Sequence, residues 1–366
     1  MSPDSQDYSS PWSLKFDNLL PGYSWYWWWW IFFIKNPKDP ERPKQLMMLW
    51  STKYTDDILI HDKRWSVRKL PAWEDNVLSF SAFVAAWWYD GEKMHDPILL
   101  DEMDIEITKE NGKGELLPKK PGIDYRFFGS PEKYYVNIID DKNDFRMEIF
   151  PWSDYLSRHR FKDNHYTKKY SYNIMKMYGM KVRGRVYGEQ VTGSAYFQRV
   201  NVNAPVTPWY WGLVHCDTGS YIHYFIPFIG PQMFRTKKEQ SSIFDFGDIP
   251  VSRSLLFYRK EDKTEYRFKS KNVKVDHHFK NDLPVFIIEG EDDEHRIRIE
   301  LTAHSRACQR LEEKPKFWIK SILFYNEYPA TLTDFYFEKK DGSLVVRKKD
   351  LGNTYANFEH SWGKML

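Results

Sequence analysis

The chain is dominated by short runs of aromatic and β-branched residues that alternate with polar residues and end at turn residues. Such runs are typical of β-strands, and the Asp-, Asn- and Gly-containing segments 140–143 and 340–342 are typical of the turns between strands. Residues 153–160 and 303–313 are the best candidates for helices. Because many closely spaced strands with few helices form antiparallel barrels or sandwiches, the sequence predicts an all-β fold with few short helices.

The length of the chain allows two domains. Its 366 residues are enough to form two hydrophobic cores. Pro205 and Pro208 interrupt a stretch that otherwise has the composition of a strand, and proline is confined to the edges and ends of sheets. We therefore expect a disordered N-terminal tail over residues 1–15, one barrel over residues 16–203 and a second barrel over residues 204–366.

The composition favours an apolar ligand over a polyanionic one. Aromatic residues make up 18% of the chain, which suits interiors that bind large apolar or planar molecules. The net charge is only +3, from 54 basic and 51 acidic residues that are interspersed along the chain. Without a concentrated basic groove, nucleic-acid binding lacks its main energetic contribution. The expected partner is a hydrophobic small molecule or lipid, and no nucleic acid.

Cysteine usage and the N-terminus indicate the compartment. Cys216 and Cys308 are too few for a disulfide framework and lack the spacing of a metal site, so we predict a reducing, cytoplasmic environment and no metal. The first ten residues are polar and acidic, unlike a signal peptide. The Trp-rich run over residues 25–34 is too short to cross a bilayer as a helix, which leaves a peripheral membrane contact open. No nucleotide fingerprint is present, and no cofactor is predicted.

Near the C-terminus, His360 and Trp362 are two residues apart on a predicted strand. Side chains at this spacing share one face of the strand, whereas Glu359 and Ser361 point to the other. An imidazole transfers protons near neutral pH, and the face of an indole ring stabilises a developing cation. The pair therefore predicts carbocation chemistry in a cavity. The alternative is a terminal strand in which both side chains are structural.

Residues 352–363 end in His-Ser-Trp-Gly and resemble the His-x-Trp-Gly motif of the hydroxyneurosporene synthase (carotenoid 1,2-hydratase) and AttH-like family. The Trp-rich segment 24–31 and the segments 193–200 and 208–212 are similar to other strands of that family. The resemblance implies two consecutive lipocalin-like antiparallel β-barrels in one chain. It also implies a cofactor-free, acid-catalysed addition of water to a double bond of an isoprenoid or another long apolar substrate.

On this resemblance His360 and Trp362 are the expected catalytic residues, with an acid supplied from earlier in the chain. Gln198 and Arg199 occupy positions where the family has Asp-His, so the central motif cannot make the same proton transfer. Cyclisation of the substrate and non-catalytic lipid binding both remain open. The side chains expected to line the ligand cavity are Trp28, Trp30, Trp88, Tyr196, Gln198, Trp209, Trp211, His215, Tyr224 and Tyr355.

An acidic strand offers a competing hypothesis. Glu102, Asp104 and Glu106 fall on one face of a predicted strand, about 7 Å apart at successive positions. Clustered carboxylates with separated pKa values are the arrangement of a retaining glycosidase. The segment resembles the Glu-x-Asp-x-Glu strand of the laminarinase and xyloglucan endotransglycosylase family, which implies Glu102 as nucleophile, Asp104 as helper and Glu106 as acid/base. The alternative is a barrel strand with a solvated acidic face.

Overall fold

The computed structural model describes residues 10–12, 19–151, 160–165, 167, 169–230, 233, 249–316 and 319–364. In these residues the chain is built almost entirely from antiparallel strands, with two short 3-10 helices at Ser270–Asn272 and Lys348–Leu351. The prediction of an all-β chain with two consecutive lipocalin-like barrels is confirmed. The predicted helix over residues 153–160 lies outside the described residues, apart from its last residue, which begins a strand.

The first part of the chain contributes fourteen strands to the described structure. They are β1 (Ser24–Ile34), β2 (Lys44–Lys53), β3 (Ile58–Ile60), β4 (Lys63–Trp65), β5 (Ala72–Glu74), β6 (Val77–Tyr89), β7 (Met94–Glu110), β8 (Lys113–Pro118), β9 (Phe127–Ser130), β10 (Lys133–Ile139), β11 (Asp144–Pro151), β12 (Arg160–His165), β13 (Ser171–Val186) and β14 (Glu189–Asn203).

The second part contributes thirteen strands to the described structure. They are β15 (Trp209–Cys216), β16 (Tyr221–Ile229), β17 (Ile249–Pro250), β18 (Ser254–Arg259), β19 (Thr264–Lys269), β20 (Val273–Lys280), β21 (Leu283–Glu291), β22 (His295–Ala303), β23 (Ala307–Lys316), β24 (Ile319–Lys339), β25 (Val345–Arg347), β26 (Thr354–His360) and β27 (Trp362–Lys364).

The first sheet closes into a barrel of ten strands. Its order is β11-β10-β9-β8-β7-β6-β2-β1-β14-β13, and β13 pairs with β11 to complete the circle. The long pairing of β13 with β14 shifts register between Met177 and Met180, which marks a bulge in the strand. Because the two end strands of this order, β11 and β13, pair with each other, the closed barrel has, in the part of the chain that the structure describes, no unpaired edge that another element would have to cover.

The second sheet curls around its own core. Its main path runs β19-β18-β16-β15-β26-β24-β22-β21-β20. The two ends of the path approach each other, since a Cβ added to Gly290 on β21 would lie 2.8 Å from the ring of Phe268 on β19. The guanidinium of Arg253 donates a hydrogen bond to the carbonyl of Val273 on β20 at 2.8 Å. Glycine at position 290 is therefore required by close packing across the barrel.

The change from the first sheet to the second occurs between Asn203 and Trp209, but the two sheets exchange strands. The hairpin β3–β4 belongs to the first part of the chain, yet β3 pairs with β23 of the second sheet. The buried Lys53 on β2 also forms an ion pair at 2.6 Å with the buried Glu313 on β23. The domain boundary near Pro205 stays a prediction.

The predicted helix over residues 303–313 is wrong, because Ala307–Lys316 forms strand β23. Ala303, Ala307 and Leu311 recur every four residues, which suggests one face of a helix. The same residues are all at odd-numbered positions, so they also share one face of a strand, and Ala307 and Leu311 pack in the contact between the sheets. Tertiary pairing with β3 and β24 decides the outcome.

Buried side chains form three large clusters. One fills the first barrel, one fills the second, and the third lies between the two sheets. Strand β1 contributes to two of them, since Trp28 and Trp30 point into the first barrel while Trp29 and Ile31 face the second sheet. The Trp-rich run is therefore a strand buried on both faces. No helix among the described residues is long and apolar enough to cross a membrane.

A short segment from the predicted tail packs into the first barrel. Trp12 is fully buried, and its ring centroid lies 4.4 Å from that of Phe127. The carbonyl of Pro11 accepts a hydrogen bond from Nε1 of Trp28 at 2.9 Å. Gly114 leaves the space that the indole occupies, because a Cβ at that position would lie 2.3 Å from Trp12 Cγ. Trp12 thus belongs to the barrel core.

We expect Trp12→Ala to lower the free energy of unfolding by about 3–5 kcal/mol, because it removes a fully buried indole and leaves a cavity. Chemical denaturation measures the change. Trp73→Ala is the control, since Trp73 is 37% exposed and its removal is expected to cost less than about 1 kcal/mol. Equal effects of the two substitutions would contradict a core role for Trp12.

Candidate functional site

Two glutamates face each other across neighbouring strands in the contact between the sheets. Strand β26 pairs with β15 and β24, and this register places Glu359 beside Trp211 on one side and Glu327 on the other. Phe225 on β16 is the partner of Trp211, so the four side chains form one row across the second sheet. Glu327 is 0% exposed and Glu359 is 3% exposed. Two carboxyl groups are therefore adjacent and out of contact with solvent.

Hydrogen bonds hold both carboxyl groups in place. Nε1 of Trp209 donates to Oε2 of Glu359, and the Tyr325 hydroxyl lies 3.0 Å from Oε1 of Glu359. The same hydroxyl also approaches Oε1 of Glu327. A phenol has one proton to donate, and Oε2 of Glu327 is buried without a hydrogen-bond partner. Both contacts of the Tyr325 oxygen with carboxyl oxygens are satisfied when one of the two glutamates carries a proton.

The electrostatic environment of Glu327 and Glu359 favours the protonated form of the pair. Burial, followed by the negative charge of Glu359, raises the pKa of Glu327 well above its ordinary value. Burial also raises the pKa of Glu359, to about 7, against the opposing effect of the hydrogen bonds from Trp209 and Tyr325. The two groups titrate as a pair. Both shifts therefore favour a proton on the pair near neutral pH.

Aromatic side chains of the first sheet cover this row. The ring centroid of Trp29 lies 5.2 Å from that of Trp211 and 5.8 Å from that of Tyr196. The Tyr196 hydroxyl donates to Oε1 of Gln198 at 3.1 Å. Nε1 of Trp29 is buried without a hydrogen-bond partner. The acid pair is thus surrounded by indole and phenol rings, which is an environment suited to an apolar ligand and to a positive charge near it.

A cation and a neutral imidazole lie on the other side of Trp211. Nζ of Lys176 on β13 is 3.3 Å from Nε2 of His223, whose ring centroid is 5.8 Å from that of Trp211. Burial, then the charge of Lys176, lowers the pKa of His223 well below its ordinary value. His223 is therefore neutral and accepts a hydrogen bond from the lysine.

His360 and Trp362 are on the opposite side of the second sheet from the acid pair. The His360 ring stacks on Tyr210 at a centroid distance of 4.7 Å and lies 5.5 Å from the ring of His277. Trp362 stacks on Phe324 at 5.6 Å, and its centroid is 5.3 Å from that of His360. The two rings are neighbours, but the strand directs the Glu359 side chain away from them and toward the first sheet.

The ten expected ligand-lining residues divide among the three clusters. Six of them are in or beside the contact between the sheets, three pack inside the first barrel, and one packs inside the second. These groups are Tyr196, Gln198, Trp209, Trp211, His215 and Tyr355; Trp28, Trp30 and Trp88; and Tyr224. Only Tyr196, Gln198, Trp209 and Trp211 are connected to the acid pair or to Trp29 by the contacts described above.

His215 and Tyr355 have structural partners. His215 is hydrogen-bonded to Oγ of Ser194 at 2.8 Å and to the carbonyl of Tyr178 at 2.6 Å, and burial lowers its pKa to about 3. The Tyr355 hydroxyl donates to Oδ1 of Asp217 at 2.9 Å. His215 therefore links the second sheet to the first, whereas Tyr355 is held within the second part of the chain; neither contacts the acid pair in these bonds.

The acidic strand is β7, and its three acids are on the outside of the first barrel. Met103, Ile105 and Ile107 alternate with the acids and point into the barrel core. Glu102 pairs with Arg68 at 2.6 Å and Glu106 pairs with Lys119 at 2.7 Å, while Asp104 is exposed. This arrangement favours a solvated strand face over the enclosed carboxyl pair of a glycosidase.

Sequence reasoning missed Glu327, Tyr325, Trp29, Lys176 and His223 as site residues, and assigned Glu359 to the face away from the cavity. A usable signal was present for the two glutamates. Glu327 is the only acid within residues 321–332 of β24, and Glu359 is the only acid of β26; the other residues of these stretches are mainly aromatic, apolar or uncharged. A lone acid in a strand that is buried on both faces needs a partner or a proton, and this requirement marks it as a functional candidate.

A surface cavity of about 570 Å³ lies elsewhere, at the end of the first barrel beside Ser10 and Tyr134. Its lining includes the exposed loop residues Asn111, Gly112 and Glu132. We place the candidate site at the acid pair because the buried titratable groups converge there. Among the described residues, no three His, Cys, Asp or Glu side chains are grouped as metal ligands.

Comparisons with known proteins identify the fold. No family model matches the chain, and no curated protein matches its sequence. The structure of CghA with Sch210972 is similar, with a TM-score of 0.51 and 7% identity over 95% of this chain and 90% of that one. An AttH-like protein from Nitrosomonas europaea has a TM-score of 0.42 and 11% identity over 98% of both chains. Kievitone hydratase from Nectria haematococca has a TM-score of 0.40 and 11% identity over 98% of this chain and 95% of that one. At such low identity, the likeness to CghA shows a common fold.

The acid pair predicts a pH-dependent stability. The folded pKa of Glu359, about 7, is above the ordinary glutamate value of 4.5, so the folded state binds this proton more tightly than the unfolded state. The contribution of the pair to stability is therefore greatest below pH 4.5 and falls as the pH rises toward 7, by about 1.4 kcal/mol per pH unit for each such group. We expect Glu359→Gln to reduce this slope between pH 5 and 7 by about that amount.

Denaturant unfolding across this pH range measures the slope. Glu338→Gln is the control, because Glu338 is on the same strand as Glu327 but lies outside the inter-sheet contact, 3.6 Å from Arg296. Its slope should match that of the unaltered protein. An unchanged slope in Glu359→Gln would mean that the carboxyl pair is not protonated in the folded state.

Proposed function

We propose that the chain binds an isoprenoid or another long apolar ligand between its two sheets and protonates a carbon–carbon double bond of that ligand. Addition of water to the resulting cation makes the protein a hydratase, and ring closure makes it a cyclase. The observation that carries the proposal is the burial of the adjacent carboxyl groups of Glu327 and Glu359 among aromatic rings, where the pKa of both groups is raised. The fold and the sequence resemblance to carotenoid 1,2-hydratases support the same class of reaction.

In this proposal the carboxyl pair and the aromatic rings around it carry out the whole reaction with water. The protonated carboxyl group gives its proton to one carbon of the double bond, which leaves a carbocation on the other. The faces of Trp209, Trp211 and Tyr325 stabilise the positive charge. A water molecule then adds to the cation and returns a proton to the carboxylate, so the pair is restored. In a cyclisation, a second double bond attacks the cation and a carbon-bound proton returns to the carboxylate.

Ligand entry involves the partly exposed edge of the contact between the sheets. Trp27, Trp209 and Phe225 are only partly buried, whereas Trp29, Trp211 and Glu359 are buried. In this proposal the edge side chains move aside when the apolar ligand binds.

Two other hypotheses use different parts of the molecule. A non-catalytic lipid-binding protein would use the same aromatic surfaces and leave the acid pair as a structural feature. Catalysis by His360 and Trp362 would take place at the second barrel, next to Tyr210 and His277. Substitutions of Glu327, Glu359 and His360 distinguish these hypotheses.

We expect the purified protein to convert geranylgeraniol or a similar polyprenyl substrate to a product that is either hydrated, 18 mass units heavier, or cyclised. Mass spectrometry and chromatography detect both. Glu327→Gln and Glu359→Gln should each lower the rate by about two to four orders of magnitude, because an amide cannot donate the proton. Binding, measured by quenching of tryptophan fluorescence, should survive both substitutions.

The matched controls are Glu338→Gln on β24 and His360→Ala on β26. Neither changes a group of the inter-sheet site, and both should keep the rate. If His360→Ala abolishes turnover while Glu359→Gln retains it, the catalytic site is in the second barrel. If the unaltered protein binds the polyprenyl substrate but converts none of it, the lipid-binding hypothesis is the correct one.

A further inference from the structure

Lys176 lies at the edge of the contact between the sheets. It is partly exposed and pairs in register with Gln198 on β14, which in turn pairs with Trp29 on β1. Its ammonium group is 5.8 Å from the ring centroid of Tyr178 and 5.9 Å from that of Phe225. The charge therefore stands at the side of the site that solvent reaches, with its stem along aromatic rings.

The imidazole beside Lys176 does not add a second charge. His223 is buried, and its ring centroid is 5.1 Å from that of Tyr178 and 6.2 Å from that of Tyr196. Packed against these rings and 3.3 Å from the ammonium group, it acts as a neutral acceptor. The contact with His223 thereby holds the lysine in position beside these aromatic rings.

The lysine and the acid pair lie along one run of neighbouring strands, close enough for the charge of Lys176 to oppose the rise in the pKa of Glu359. His223 is on β16, Trp211 on β15, Glu359 on β26 and Glu327 on β24, and these strands are consecutive neighbours in the sheet. Three strand spacings separate β16 from β24, which corresponds to about 14 Å. Trp211 lies between the two ends, with Trp29 of the first sheet across from it.

We propose that the ligand is an anionic amphiphile, whose carboxylate or phosphate head binds Nζ of Lys176 while its apolar tail runs over Trp211 to the Glu327–Glu359 pair. This inference rests on the proposed function and specifies its substrate class. A charged head at the edge and a carboxyl pair at the far end would fix which double bond of the tail receives the proton, because the head sets the position of every carbon behind it.

The test compares geranylgeranic acid, geranylgeranyl phosphate and geranylgeraniol, which share the tail and differ in the head. Fluorescence quenching or calorimetry gives each dissociation constant. We expect at least one of the two anions to bind the unaltered protein about ten- to hundredfold more tightly than the alcohol, the usual effect of a hydrogen bond to a charged group. The anion that binds more tightly identifies the head as carboxylate or phosphate.

Lys176→Met keeps the length of the side chain and removes the charge. It should abolish the advantage of the anion and leave the affinity for the alcohol unchanged, and Lys176→Arg should restore most of the advantage. Lys181→Met is the matched control, since Lys181 is exposed on the same strand. It should leave all three affinities unchanged.

Equal affinity of the unaltered protein for the anions and the alcohol overturns the inference, and so does an equal loss for all three ligands in Lys176→Met. The proposed function survives either result, provided that geranylgeraniol still binds and is converted. If none of the three ligands binds the unaltered protein, the proposed function fails together with the inference.

Discussion

The face-to-face packing of the two sheets is the interaction on which the rest of the structure depends. Successive side chains of a strand point to opposite faces, so a strand at this contact supplies a barrel core with one set of residues and the facing sheet with the other. Strand β1 does so with Trp28 and Trp30 on one side and Trp29 and Ile31 on the other. Strand β26 does so with Phe358 inside the second barrel and Glu359 toward the first sheet. A polar group here has no solvent on either face of the sheet.

That constraint explains why the acids of the contact behave differently from acids elsewhere. Glu313 is buried there too, but Lys53 lies 2.6 Å away and balances its charge. Glu327 has Glu359 as its neighbour on the next strand. Two adjacent carboxylates that are both ionised and buried away from water repel each other. A proton on the pair removes this repulsion. On the outside of the first barrel, by contrast, Glu102 and Glu106 are ion-paired in contact with water.

The parts of the fold that the sequence predicts are those in which local composition and tertiary packing agree. The all-β class and the acidic outer face of β7 follow from alternation in single strands. The helix expected over residues 303–313 fails because Ala307 and Leu311 suit either period, and only pairing with β3 and β24 decides between them. The direction of β26 was not predictable for a related reason. Both of its faces are buried, so no contrast between apolar and polar positions shows which side meets the first sheet.

The candidate site depends on the register in which its strands pair, and this register cannot be read from a single sequence. Glu359 meets Glu327 because β26 pairs with β24 over residues 327–330, and it meets Trp211 because β26 also pairs with β15. A shift of one residue in either pairing would turn one of these side chains to the other face. The pair costs stability as the pH rises from about 4.5 toward 7, because the folded state holds a proton that the unfolded chain releases. An all-apolar pair at these positions would pack between the sheets without that cost, and the proposed function is one in which the two carboxyl groups have a use.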